Sequence, residues 1–68
     1  MNKIKELVEQ KNIKVSEIIK KTGLSKSYVY DVINGKSTPT IGVAQKISRA
    51  LGSSIAEVFP DTLHERDE

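Results

Sequence analysis

Residues 23–36 read GLSKSYVYDVINGK and gather Lys26, Ser27, Tyr30, Asp31 and Asn34 within nine positions. At 100° per residue these five fall on one side of a helix, and Tyr28, Val29, Val32 and Ile33 fall on the other. The polar set offers hydrogen-bond donors and acceptors, the chemistry of recognition. It does not offer an activated nucleophile, because Ser16, Ser25 and Ser27 have no histidine near them in sequence to take a proton. The one histidine, His64, lies among Asp61, Glu65 and Asp67 in the polar segment DTLHERDE. That segment reads as a solvated tail rather than a metal site. With no cysteine, a disulfide or thiolate metal site is excluded. There is no Gly-rich phosphate loop either. The expectation is a binding protein, not an enzyme, with no cofactor and no metal.

Helical periodicity supplies the elements that must position this face. A first helix is predicted from Lys3 to Lys11 on the stripe Ile4, Leu7 and Val8, ended by Asn12. A second is predicted from Val15 to Thr22 on Val15, Ile18 and Ile19, ended by Gly23. Its start is weak, because Lys14 stands where a short polar side chain would cap better; Ser16 is the alternative cap for a later start. The third is the polar-faced helix over 26–34, capped by Ser25, with Leu24 and Val29 placed as a hydrophobic staple. A fourth opens at Thr40, carries Ile41, Ala44, Ile47, Ala50 and Leu51, and stops at Gly52. Ser54 and Glu57 form a capping box for a short fifth helix with Ile55, Val58 and Phe59, stopped by Pro60. No strand is expected.

The chain has 68 residues and a net charge of +2, so one small domain is expected over 1–60, followed by an acidic, flexible tail over 61–68. Charge is divided unevenly. Residues 11–36 hold six lysines against Glu17 and Asp31, a net +4; residues 57–68 hold five acids against Arg66, a net −4. A basic body of this kind can steer a polyanion toward one face, but on charge alone an ordinary solvated, lysine-rich surface is the favoured reading. No apolar run approaches a membrane span, and the start lacks the apolar centre of a signal peptide. A soluble cytoplasmic protein without a membrane role is expected.

Only Gly-Leu-Ser separates the second and third helices, which is the helix-turn-helix signature. From Ile4 to Phe59 the chain resembles the Cro and phage-repressor class, the xenobiotic-response-element type. The resemblance is carried by IKELV, VSEIIKKTGLSKSYVYDVINGK and PTIGVAQKISRALGSSIAEVF. It implies an all-α, compact five-helix domain with helices 2 and 3 as the DNA-binding pair. The implied function is a sequence-specific transcriptional regulator, a repressor in the first instance. It reads a double-stranded DNA operator in the major groove with the third helix. By position, Lys26, Ser27, Tyr30 and Asp31 would face bases. Lys14, Val15, Ser16, Ser25, Tyr28, Asn34, Lys36 and Thr38 would hold phosphates. Tyr28 is equally readable as a core-edge residue. The family generally pairs around the fifth helix, which makes Ile55, Phe59 and Leu63 interface candidates for a homodimer on DNA. For Phe59 the alternative is burial in the domain's own core. No small-molecule site is expected.

Four positions depart from the family pattern. Val15 stands where Gln is usual, and Lys14 where Ser or Thr is usual. Val8 and Ile33 stand where many members carry a paired Arg and Glu, so a hydrophobic contact is expected in place of a buried ion pair. The rival reading is a protein-interaction module or antitoxin component on the same fold.

Overall fold

Most helix boundaries fall where a side chain or a left-handed residue satisfies the free backbone groups of a helix end. The structure, a computed structural model, describes residues 2–60. It contains α1 Ile4–Lys11, α2 Val15–Thr22, α3 Lys26–Ile33, α4 Ile41–Leu51 and α5 Ile55–Val58, with no strand among the described residues. The expected all-α, five-helix domain is thus present. The tail over 61–68, with Leu63 and His64, lies outside the described residues.

The Ser25 hydroxyl accepts the Tyr28 N–H, and the Thr40 hydroxyl accepts the Val43 N–H. Ser54 and Glu57 close the capping box from both sides, at 3.2 and 3.0 Å. At α1, Asn12 adopts φ 60°, and the Ile13 N–H folds back to the Val8 carbonyl. Gly23, with φ 75°, donates to the Ile19 carbonyl and turns the chain sharply enough to open α3 three residues later.

Of the first two helix starts, one differs from expectation and one matches it. Helix α1 begins at Ile4 rather than Lys3, because the Asn2 side chain accepts the Ile4 N–H at 3.1 Å. Helix α2 begins at Val15 with Lys14 extended before it, so Ser16 is not its cap and no side chain caps this end.

Helix α4 is the hub, packed against both α2 and α5, while α2 packs against α3. The core gathers Ile4, Ile18, Val29, Val32, Ala44, Ile47, Ala50, Leu51, Val58 and Phe59. On α4 the buried stripe is Ala44, Ile47, Ser48 and Leu51, joined by Ala50. Ile41 is only half-buried, because it stands in the first turn at the margin of the packed face. Ser48 takes a buried place that periodicity alone did not assign to it, and its hydroxyl has no hydrogen-bond partner. Nothing in the structure explains a hydroxyl there. Among the described residues no helix is long and apolar enough to cross a membrane.

One long-range tie fastens α1 to α4. Lys11 Nζ donates to the Leu51 carbonyl at 3.0 Å, the Gly52 carbonyl at 3.1 Å and the Ser53 hydroxyl at 2.8 Å. A cation on the last carbonyls of a helix is favoured by its dipole as well as by the bonds. Lys11→Ala is expected to destabilise the domain by about 1 kcal/mol, since the ammonium is partly solvated. Urea denaturation at low and high salt checks this. A midpoint equal to wild type at both would show that the tie contributes nothing.

Val8 and Ile33 are both half-buried and pack against the same core. Ile33→Glu is expected to cost about 1–3 kcal/mol by desolvating an unpaired carboxylate. Adding Val8→Arg should restore part of that loss. A double-mutant cycle in urea measures the coupling, and strict additivity of the two single effects would mean that the side chains do not interact.

Candidate nucleic-acid interface

The turn between α2 and α3 leaves the outer side of α3 uncovered. Lys26, Ser27 and Tyr30 are exposed there, Tyr30 at 41%, the one large hydrophobic side chain so exposed among the described residues. Asp31 is half-buried at the edge of that face rather than fully outward. Tyr28 is half-buried and packs against the core, and its backbone N–H is held by Ser25. Its ring therefore belongs to the core edge, as one of the two sequence readings had it.

The chain beyond α3 is shaped by the helix end. Asn34 leaves the helical conformation at φ −87°, ψ 2°, so the helix proper ends at Ile33, one residue short of the expected 26–34. Gly35 takes φ 79° and donates to the Val32 carbonyl, while the Lys36 N–H folds back to the Asp31 carbonyl at 2.8 Å. These two bonds form a Schellman closure, and the left-handed residue inside it favours glycine. The closure sets Asn34 and Lys36 on the surface directly past α3, followed by exposed Thr38 and buried Pro39. At the other margin Lys14 and Ser16 are exposed at the uncapped start of α2, with Val15 half-buried between them.

Among the described helices α3 alone carries no charge favourable to its dipole, although α1 also has Lys5 in its first turn and Glu9 in its last. Helix dipoles favour acids in the first turn and bases in the last. Helices α1 and α2 carry both, Glu6 with Lys11 and Glu17 with Lys20 and Lys21. Helix α4 carries Arg49 in its last turn, and α5 carries Glu57 in its first. Helix α3 has neither an acid in its first turn nor a base in its last. Instead Lys26 opens it and Asp31 stands in its last turn, each against the dipole. Such placements cost a few tenths of a kcal/mol apiece, so helix stability does not account for them. Sequence reasoning placed Asp31 among the base-facing residues but missed the reversal. The signal was present, because charge position relative to each helix end can be read from the predicted boundaries.

The candidate dimer residues divide. Phe59 is 2% exposed and sits in the core of its own domain, the alternative reading for this residue, which takes its ring out of the exposed surface. Ile55 is half-buried on α5, and Leu63 lies outside the described residues. An open cleft of about 330 Å³ lies between α2 and α4, lined by Lys21, Thr22, Lys46, Arg49 and Ala50. None of the candidate DNA-contacting residues lines it.

Two helices joined by a three-residue turn, the second presenting a polar outer face, define a helix-turn-helix protein. A helix-turn-helix family profile matches residues 4–58. The SPbeta prophage-derived uncharacterized HTH-type transcriptional regulator YotL of Bacillus subtilis (strain 168) is 32% identical over 66 residues, which is 96% of this chain and 82% of that protein. No solved structure gives a significant match. The chain belongs to the helix-turn-helix family of the Cro and phage-repressor type, a family of DNA-binding transcriptional regulators.

Proposed function

We propose that this regulator is a sequence-specific repressor that lies on its operator with α3 in the major groove. The reversed charge of α3 carries the reading. Lys26 at the positive helix end is costly for folding but well placed for guanine O6 and N7 or a nearby phosphate. Asp31 accepts from cytosine N4 and repels the wrong base, while Ser27 and Tyr30 complete the base-facing set. Around them, Lys14, Val15, Ser16, Ser25, Asn34, Lys36 and Thr38 hold phosphates through side chains or backbone N–H groups. Tyr28 reaches a phosphate only through its hydroxyl, since its ring packs inward. The protein acts in the cytoplasm, where it blocks transcription by occupying its site.

A homodimer forms on DNA through α5 and the chain beyond it, with Ile55 and Leu63 as apolar contacts. The two copies meet half-sites about 34 Å apart.

Filter or mobility-shift titration of the whole protein tests the DNA reading, with a random-sequence duplex and a duplex selected by the protein from a random pool. Each phosphate neutralised should contribute about −0.9 to the slope of log K against log salt. A flat salt response with no selected sequence would overturn the reading and leave the protein-interaction alternative.

A further inference from the structure

Asn2 lies outside every helix yet touches two of them. Its Oδ1 accepts the Ile4 N–H at 3.1 Å, and its Nδ2 donates to the Val32 carbonyl at 2.7 Å, thirty residues away. The adjoining Lys3 N–H donates to the Val58 carbonyl at 2.9 Å. Residues 2 and 3 therefore pin the start of α1 to the ends of both α3 and α5.

Val32 is the informative partner. Its carbonyl also accepts the Gly35 N–H at 3.1 Å, one of the two bonds of the α3 closure. Both lone pairs of this oxygen are thus used, one by the closure and one by Asn2. An eight-residue helix is marginal by itself, and its last turn opens readily unless it is tied to something rigid. The tie to α1 falls on the turn that presents Asp31 and directly precedes Asn34 and Lys36.

We propose that Asn2 is a positioning residue for the recognition helix. Acting through Val32, it fixes the C-terminal turn of α3 so that Asp31, Asn34 and Lys36 meet DNA in one geometry. The inference rests on the reading of α3 as the base-reading element. It extends the functional residues to one outside the span 4–58 that the family profile matches.

The two bonds of Asn2 can be separated. Asn2→Asp keeps the acceptor for Ile4 and places a favourable carboxylate at the start of α1, but it replaces the donor to Val32 with an oxygen that the Val32 carbonyl repels. Asn2→Ala loses both. Three readouts are taken on the whole protein: thermal midpoint, amide exchange at Asn34, Gly35 and Lys36, and affinity for the pool-selected and scrambled duplexes. Asn2→Asp is expected to melt near wild type while those amides exchange roughly five- to tenfold faster, about the net worth of one hydrogen bond. The preference for the selected duplex over the scrambled one should fall by a similar factor. Asn2→Ala should show the same losses together with a lower midpoint.

Unchanged exchange, or faster exchange with unchanged preference, overturns the proposal. A collapse of midpoint and binding together in Asn2→Asp also overturns it, by showing a merely structural role. Lys26→Ala, measured alongside, keeps the two failures apart. If it abolishes the preference while Asn2→Asp does not, α3 reads bases and only the clamp is wrong. If neither variant changes the preference, the base-reading assignment itself fails.

Discussion

Phe59→Ala should remove about 3–4 kcal/mol of folding stability, the usual consequence of emptying a buried phenylalanine site. The side chain is 2% exposed and belongs to the same core as Ile4, Ile47 and Val58. A domain of this length has only about 3–10 kcal/mol in total, so the variant should lose roughly a third of its stability or more, and all of it at the lower end of that range. The expectation also separates two roles for this residue. A core phenylalanine gives a loss that is independent of protein concentration. An interface phenylalanine gives a loss that depends on it, because dissociation is then linked to unfolding. Urea denaturation at two concentrations twentyfold apart distinguishes them. A loss in Phe59→Ala that changes with protein concentration would return the residue to the interface. Ile55→Asp is the matching control. Its half-buried position should let the fold survive while a dimer built on α5 weakens.

The contrast between Phe59 and Ser25 shows what could be read from the chain. Ser25, Thr40 and the Ser54–Glu57 box lie within three residues of the backbone groups that they satisfy, and each one formed where it was expected. The left-handed stops at Asn12, Gly23 and Gly52 are equally local. What escaped was long in range. Asn2 reaches Val32, and Lys11 reaches Leu51 across forty residues; neither can be inferred until α1 is known to lie against the ends of α3 and α4. Ser48 is buried because α4 is enclosed on more than one side, and a stripe drawn from apolar residues passes over a serine. The outer face of α3 was legible for the opposite reason. Its residues make few internal bonds, so their types had to be explained by something outside the domain.

Lys26→Ala, Asp31→Asn and Lys36→Ala should each change DNA binding in a different way. Lys36 follows the closure of α3, where under the proposed docking it would meet a phosphate. Its removal should weaken selected and scrambled duplexes alike and lower the salt slope by about 1. Lys26 opens the helix proposed to enter the groove. Its loss should cost roughly 1–3 kcal/mol on the selected duplex and much less on the scrambled one. Asp31 differs again, because a carboxylate beside a polyanion repels it on every sequence. Asp31→Asn should bind scrambled DNA more tightly than wild type while relaxing choice at one base pair. Stability supplies an independent check. Lys26 and Asp31 both oppose the α3 dipole, so Lys26→Ala and Asp31→Asn should fold as well as wild type or better, by a few tenths of a kcal/mol. A loss of operator affinity combined with undiminished stability is the signature of residues kept for recognition. Titration of all three variants against both duplexes at two salt concentrations, with urea midpoints beside them, reads every term. If the three shift both duplexes by the same factor, α3 does not read sequence, and the domain holds DNA through its charge alone.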